Sequence, residues 1–167
     1  MIVWLNGPFG VGKTAVARAL LEAKPEWALL DPEVRGAELV RRWPGVDDFQ
    51  DLPDWRKAVV EDAVERVGTG DLVIPMTIWR LEYYREIMDG LKGATEVRPF
   101  RLTASEATLR DHIEHDRIEP GAMAWRLDRL DTGLRAFEDT AFGDHVGTDG
   151  RTPEKIAHLI LVTLGRA

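Results

Sequence analysis

The 167-residue chain has no cysteine, no excess of basic residues and no long hydrophobic run. The absence of cysteine excludes disulfides, thiol catalysis and cysteine-ligated metal sites, and it favours a cytoplasmic location. The formal net charge of -7 excludes a broad cationic surface for nucleic acid. Residues 156–164 form an apolar stretch far shorter than the roughly 20 residues that span a bilayer. We therefore expect neither a nucleic-acid partner nor a membrane span.

Signals for export and for a second domain are also missing. The apolar residues 1–5 follow no basic region and run into glycines instead of a cleavage site, so we expect no signal peptide. A chain of this length suits one folding unit with its own core, and the sequence contains no internal repeat or low-complexity segment. We therefore predict a single domain over residues 1–167.

Strand-like apolar runs alternate with helical stretches along the chain. This alternation is typical of a parallel sheet covered by helices, in which ligands bind beyond the carboxyl ends of the strands. The predicted strands are residues 2–6, 27–30, 72–76, 97–102 and 145–148. The predicted helices cover residues 13–23, 32–42, 53–67, 82–91 and 122–134, with one more opened by a capping box at 103–106 and a last one beginning at Pro153. The predicted fold class is α/β, with a five-stranded parallel sheet flanked by helices.

One specific motif stands near the N-terminus, where Gly7-Pro-Phe-Gly-Val-Gly-Lys-Thr14 has the spacing of a phosphate-binding loop. It lies between the first predicted strand and the first predicted helix, as such loops do. Its glycines let backbone N–H groups converge on phosphate oxygens, and the helix adds its positive dipole end. Lys13 is expected to reach the β- and γ-phosphates, and Thr14 to ligate Mg²⁺. The alternative is a glycine-rich turn without a ligand.

The acidic residue that many phosphate-loop ATPases use to hold Mg²⁺ is not in its usual place. Asp71 precedes the third predicted strand and therefore lies at the edge opposite the phosphate loop. Asp31 instead follows the second strand, where it is predicted to accept a proton from an acceptor hydroxyl or to help hold Mg²⁺. The alternative is that Asp31 only caps the helix that begins at Pro32.

Arginines recur after the fourth predicted strand. Guanidinium groups stabilise the charge of a phosphoryl group in transfer when water is excluded. We predict that residues 117–135 form a small lid and that at least one arginine of this stretch contacts phosphate. The alternative is a solvated helix face with acidic partners such as Asp128 and Asp131. The arginines concerned are Arg110, Arg117, Arg126 and Arg129.

Further stretches accompany the phosphate loop in order along the chain. They are DPE at 31–33, DDFQDLPDWR at 47–56, VIPMT at 73–77, LTASEATL at 102–109, RLDR at 126–129 and TDG at 148–150. Together with the loop they resemble the tunicamycin-resistance protein family, a group of small P-loop kinase-like proteins. The resemblance implies a P-loop fold like that of nucleoside and nucleotide kinases, ATP binding, and resistance to a uridine-containing nucleoside antibiotic.

The resemblance also implies roles for particular residues. Met76 and Thr77 would line the acceptor cleft. The loop around Asp149 would pack against adenine, and Arg117 and Arg126 would belong to the lid. Some members of the family extend beyond the last helix with a tail that favours membrane association, whereas this chain stops at residue 167, so we expect a soluble protein.

The predicted site residues fall into three groups. The catalytic group is Lys13, Asp31, Arg117 and Arg126. The ATP-binding group is Gly7, Phe9, Gly10, Val11, Gly12, Lys13, Thr14, Ala15, Arg110 and Asp149, with Mg²⁺ on Thr14. The substrate-binding group is Asp31, Arg35, Trp55, Arg56, Met76 and Thr77. For Trp55 the alternative is a place in the core.

The hypothesis drawn from these groups is ATP-dependent phosphorylation of a hydroxyl on tunicamycin or on a related nucleoside or sugar. The expected partner is therefore a small-molecule acceptor. Two other functions stay open at this point. One is a protein that binds and sequesters the drug with ATP as a co-ligand. The other is a housekeeping kinase of a small metabolite, because motifs do not encode the geometry of an acceptor pocket.

Overall fold

The computed structural model describes residues 1–43, 45–68, 70–117 and 120–167, and it contains a five-stranded sheet. The strand order is β2-β3-β1-β4-β5, and every neighbouring pair is parallel. The predicted fold class is thereby confirmed. The strands are β1 (Ile2–Asn6), β2 (Ala28–Leu29), β3 (Leu72–Pro75), β4 (Val97–Thr103) and β5 (Asp144–Gly147).

Helices cover both faces of the sheet. Those of the described residues are α1 (Lys13–Ala23), α2 (Pro32–Val40), α3 (Pro53–Val67), α4 (Leu81–Leu91), α5 (Glu106–Glu114), α6 (Met123–Asp128), α7 (Leu130–Ala136) and α8 (Pro153–Thr163). Short 3-10 turns lie at Phe49–Asp51, Pro120–Ala122 and Thr140–Phe142. The bounds of β1, α1 and α3 are those predicted from the sequence. None of the helices described is long and apolar enough to cross a membrane.

The central strand β1 divides the core into two layers. All of its residues are buried, and it pairs with β3 on one side and β4 on the other. Alternate side chains of a strand point to opposite faces, so Val3 and Leu5 join one hydrophobic cluster while Ile2 and Trp4 join the other. Burial on both faces explains why the strand reads as an uninterrupted apolar run. The parallel pairing of β1 with β3 and β4 brings the carboxyl ends of the three strands to one edge of the sheet.

Two local predictions are wrong. Thr103 does not cap the helix after β4, because it still belongs to that strand and its hydroxyl lies 2.7 Å from His145 Nε2. Ser105 caps α5 instead, accepting a hydrogen bond from the Thr108 N–H. The helix predicted over 122–134 is broken into α6 and α7 at Arg129. Helix α7 packs against the phosphate loop, where a Cβ on Gly133 would lie 3.2 Å from Pro8.

Candidate active site

The phosphate loop follows β1 and opens α1, as the motif predicts. Gly10 and Gly12 adopt left-handed backbone conformations, with φ of +78 and +90 degrees, which glycine accepts at little cost. A Cβ on Gly10 would lie 2.7 Å from the Leu109 carbonyl oxygen, so the loop packs closely against α5. The exposed residues Thr14 and Ala15 lie in the first turn of α1, where backbone N–H groups and the helix dipole favour an anion.

Asn6 ties the phosphate loop to the end of β3, a role that the sequence analysis did not assign. Its buried side-chain oxygen accepts hydrogen bonds from the N–H groups of Gly7 (3.0 Å) and Ile78 (2.9 Å). Its amide nitrogen donates to the Ile78 carbonyl at 3.1 Å. These three bonds fix the phosphate loop relative to the segment after β3, where the acceptor residues were predicted.

Lys13 is folded back onto its own loop. Its ammonium nitrogen donates to the carbonyl oxygens of Gly7 (3.0 Å) and Pro8 (2.9 Å). Burial lowers the pKa of Lys13 to about 7, an effect opposed by nearby Glu33 and reinforced by Arg126. A phosphate group in the loop would supply the negative charge that favours the protonated amine. We therefore expect the Lys13 ammonium group to leave the two carbonyl oxygens and donate to phosphate oxygens when a phosphate binds.

The predicted lid lies next to the phosphate loop, although residues 118 and 119 of it are outside the described residues. Arg126 on α6 forms an ion pair with Asp116 (2.6 Å), and its guanidinium carbon lies 5.6 Å from the centre of the Phe9 ring. Arg129 pairs with Asp47 (2.7 Å), which joins the lid to the segment before α3. Arg117 is exposed. Of the predicted lid arginines, Arg126 is thus beside Lys13.

An aromatic cluster, formed by Phe9, Trp79 and Trp125, lies at the phosphate loop. The three half-buried rings come from the phosphate loop, the segment after β3 and α6. Phe9 meets Trp79 and Trp125 edge to face, with centroids 5.6 and 5.3 Å away. The two indoles are 6.3 Å apart. Neither tryptophan was identified from the sequence, because the contacts span up to 116 residues and follow no local pattern.

Met76 and Thr77 lie at the carboxyl end of β3, each with only 2% of its surface exposed. The Thr77 hydroxyl is buried and has no hydrogen-bond partner among the described residues. The Thr77 carbonyl accepts a hydrogen bond from the Gln50 side chain at 2.9 Å. The 3-10 turn Phe49–Asp51 therefore packs against the end of β3, and its Gln50 side chain contacts the residues predicted to bind the acceptor.

Asp48 is a buried carboxylate that the sequence analysis missed. Its side chain accepts a hydrogen bond from the Gln50 N–H at 2.9 Å, and it is 9% exposed. Burial raises the pKa of Asp48, with Asp51 adding to the shift and Arg80 and Arg129 opposing it. A buried acid with a perturbed pKa beside a cleft is a candidate functional group. The only hint in the sequence is its place within the DDFQ stretch at 47–50.

The remaining predicted acceptor residues have structural partners. Asp31 is exposed and accepts a hydrogen bond from the Glu33 N–H at 3.0 Å, so it caps α2. Arg35 forms a two-pronged ion pair with Asp62 (2.7 and 3.0 Å), which links α2 to α3. Trp55 is fully buried and its indole N–H donates to the Pro32 carbonyl at 3.0 Å. This is the place in the core that the sequence analysis gave as the alternative to substrate binding.

Arg56 is also buried, with 7% of its surface exposed. Its guanidinium contacts Glu86 at 2.6 Å and donates to the Gln50 carbonyl at 2.5 Å. It lies 4.1 Å from the centre of the Tyr83 ring. Through Gln50 it holds the turn at Phe49–Asp51 in position.

Two predicted ATP-binding residues lie around α5. Arg110 is exposed and pairs with Glu106 at 3.0 Å on the same helix. Asp149 accepts hydrogen bonds from the N–H and hydroxyl of Ser105, at 2.8 and 3.1 Å. Hydrogen bonds from Thr108 and Ser105 lower the pKa of Asp149. The structure thus places Asp149 at the start of α5, close to the phosphate loop that α5 supports.

The side chains of the described residues provide only some of the ligands that Mg²⁺ needs. The Thr14 hydroxyl is exposed at the start of α1, where a P-loop threonine ligates the ion. Within the described ranges no three acidic or histidine side chains are grouped for a metal. Asp71, at the far end of β3, is held by Arg166 at 3.2 Å. These residues fit an ion held by Thr14, phosphates and water, which is common for Mg²⁺.

Comparison with known proteins gives matches among solved structures, whereas no protein-family model and no curated protein matches the sequence. The tunicamycin resistance protein of Deinococcus radiodurans is 29% identical, with a TM-score of 0.80 over 99% of this chain and 96% of that one. A gluconokinase from Sinorhizobium meliloti is 21% identical, with a TM-score of 0.69 over 99% and 91% of the two chains.

A shikimate kinase from Acinetobacter baumannii is 16% identical, with a TM-score of 0.67 over 98% of this chain and 93% of that one. At this identity, and at that of the gluconokinase, the likeness concerns the fold alone. The chain therefore has the fold of P-loop kinases, and the resemblance to the tunicamycin-resistance protein family that its motifs indicated is confirmed over nearly its whole length.

Proposed function

We propose that the protein confers resistance to tunicamycin by transferring the γ-phosphoryl group of ATP to a hydroxyl of the drug or of a related nucleoside or sugar. The observation that supports this most is the juxtaposition of Lys13 and Arg126 at the phosphate loop with a separate set of buried polar groups at the end of β3. Similarity to a tunicamycin resistance protein suggests the drug, and similarity to two small-molecule kinases suggests the reaction.

The donor half of the site consists of the phosphate loop and the lid. Backbone N–H groups of the loop and Lys13 hold the β- and γ-phosphates, and Arg126 neutralises charge on the phosphoryl group. Mg²⁺, held through Thr14, supplies further charge neutralisation when bound. The region around Asp149 receives the adenine.

The acceptor half contains two carboxylates. An acceptor hydroxyl oxygen forms a bond to the γ-phosphorus, the bond from that phosphorus to the β,γ-bridging oxygen breaks, and ADP leaves. The hydroxyl proton passes to a carboxylate, and two are candidates: Asp31, which follows β2 and begins α2, and Asp48, which precedes the 3-10 turn whose Gln50 contacts Thr77. We assign proton acceptance to Asp31, whose cap of α2 uses one carboxylate oxygen, and hydrogen bonding to the acceptor to Asp48.

Sequestration of the drug without turnover is the second candidate. It is favoured by the position of Asp71, because the acid that commonly holds Mg²⁺ in phosphate-loop ATPases is here at the wrong end of β3. A housekeeping kinase of another small metabolite is the third, since the sugar and shikimate kinases share the fold. Sequestration requires protein in proportion to drug, whereas transfer requires only catalytic amounts.

The proposal is tested by expressing the wild-type protein and Lys13→Met in a tunicamycin-sensitive bacterium. We expect the wild-type protein to raise the tolerated drug concentration and Lys13→Met, at equal expression, to give no protection. Equal protection by both forms would contradict transfer from ATP, and it would also contradict sequestration that needs ATP as a co-ligand. Protection by neither form would contradict a role in resistance, and the housekeeping kinase would then be the remaining candidate function.

A further inference from the structure

Two exposed histidines at the C-terminal end of α5 make contacts of different kinds. The Nδ1 atom of His115 lies 2.8 Å from the carbonyl oxygen of Asp111, one turn earlier in the same helix. The Nδ1 atom of His112 instead lies 2.7 Å from the carbonyl oxygen of Gly10 in the phosphate loop. His112 therefore joins α5 to a residue 102 positions away in the sequence, at the loop that is proposed to bind the nucleotide.

The contact with His112 fixes the direction of the peptide group between Gly10 and Val11. A carbonyl oxygen only accepts hydrogen bonds, so the His112 ring carries a proton on Nδ1 and donates it. In a planar trans peptide group the C=O and the N–H point in opposite directions. Because the Gly10 carbonyl faces α5, the Val11 N–H faces the inside of the loop.

The contacts of Val11 and Lys13 agree with this direction. The Val11 N–H donates to the Pro8 carbonyl oxygen at 3.4 Å, and the Lys13 ammonium nitrogen donates to the same oxygen at 2.9 Å. The two donors thus converge where the N–H groups and the lysine of a P-loop hold phosphate oxygens. We therefore expect a bound phosphate to accept hydrogen bonds from both.

Helix α5 also holds Gly10 by close packing. A Cβ on Gly10 would lie 2.7 Å from the Leu109 carbonyl oxygen and 3.1 Å from Cγ1 of Ile113. Packing fixes where Gly10 lies, but a glycine leaves its peptide groups more freedom to rotate than other residues do. The hydrogen bond from His112 restrains that rotation.

We propose that His112 is a positioning residue of the phosphate loop, whose Nδ1–H holds the Gly10 carbonyl so that the Val11 N–H stays directed at the bound phosphate. This inference rests on the proposed function, because it requires nucleotide phosphates in the loop, and it extends the donor half to α5. Donors that are oriented before the ligand arrives need no rearrangement to stabilise its charge. His112 thus acts on the phosphates of the nucleotide through the loop backbone.

Displacement of a fluorescent ADP analogue gives the affinities for ADP and for inorganic pyrophosphate, which has phosphates but no nucleoside. We expect His112→Phe, which keeps a ring but loses the donor, to weaken binding of both ligands by about threefold to tenfold, the effect of one hydrogen bond. His112→Asn should restore most of the affinity, because its amide N–H can donate from a similar position. Thermal melts should show little change in either variant, because His112 is exposed.

His115→Phe is the matched control, since it makes the same change at the end of the same helix, away from the loop. It should bind both ligands like the wild-type protein. Unchanged affinities in His112→Phe, an equal loss in His112→Asn or in His115→Phe, or a loss for ADP but not for pyrophosphate would each overturn the inference.

The inference and the proposed transfer can fail separately. Phosphorylation of the drug by a protein whose ADP affinity does not depend on His112 would refute the inference alone. An ADP affinity that depends on His112, in a protein that leaves the drug intact, would refute the transfer alone. Binding of neither ligand by the wild-type protein would overturn both.

Discussion

At the scale of single residues, Lys13 is the side chain on which the donor half depends most. Charge-assisted hydrogen bonds contribute about 1.5–3 kcal/mol each, so we expect Lys13→Met to weaken ATP binding by about tenfold or more. The free energy of unfolding should change little, because the variant loses two hydrogen bonds to loop carbonyls but no longer buries an amine.

Titration with a fluorescent ATP analogue and a thermal melt measure the two effects. Lys155→Met, an exposed lysine on α8, is the control and should bind ATP like the wild-type protein. Unchanged ATP affinity in Lys13→Met would contradict the assignment of the phosphate loop.

The two carboxylates of the acceptor half should give different kinetic signatures. We expect Asp31→Asn to lower kcat by about 100-fold or more through loss of the base, with unchanged stability because asparagine also caps helices well. Asp48→Asn should mainly raise KM for the acceptor. Steady-state kinetics with drug and MgATP measure both, and the reverse pattern would make Asp48 the proton acceptor.

Asp48 should also make stability depend on pH. Because the pKa of Asp48 is raised in the folded protein, the folded state holds the proton more tightly than the unfolded state does. The free energy of unfolding therefore falls as pH rises from the pKa of the unfolded state to that of the folded state. At neutral pH the carboxylate is therefore destabilising. We expect Asp48→Asn to raise the melting temperature at about pH 7 more than at about pH 4. An equal shift at both pH values would show that the charge of Asp48 is not the cause.

At the scale of elements, the lid is joined to the rest of the site by the ion pair of Arg129 with Asp47. Lid closure keeps water from competing with the acceptor. We expect Arg129→Ala to increase ATP hydrolysis relative to transfer and to speed amide hydrogen exchange in α6. Arg135→Ala, an exposed arginine on α7, is the matched control. An unchanged ratio of ATP hydrolysis to phosphoryl transfer in Arg129→Ala would show that this ion pair does not govern closure of the lid.

Elements fixed by local chemistry were predictable from the sequence. The glycine loop and Pro25 bound α1, and Pro53 begins α3, so their limits follow from short-range signals. The break between α6 and α7 at Arg129 was not predictable, because the residues directly around it include no glycine or proline that would end a helix. The same holds for Trp79, Trp125 and Asp48, whose roles come from contacts between separate elements.

At the scale of the whole molecule, an alternating pattern and one loop motif determine the architecture, whereas the acceptor site depends on how the elements pack. The donor half is built on β1 and α1, which are adjacent in sequence. The acceptor half draws on the end of β3, the turn Phe49–Asp51 and α6, which are brought together only by the fold. The sequence therefore predicts the fold and the place of the glycine loop in it, whereas the proposed acceptor site rests on contacts between separate elements that no local pattern shows.

The measurement that tests the central claim most directly is mass spectrometry of tunicamycin incubated with MgATP and a small fraction of its molar amount of protein. We expect drug carrying one added phosphoryl group to accumulate in large molar excess over the protein, with an equal amount of ADP. Lys13→Met should give none. Intact drug in the presence of wild-type protein that binds both ATP and tunicamycin would contradict phosphoryl transfer.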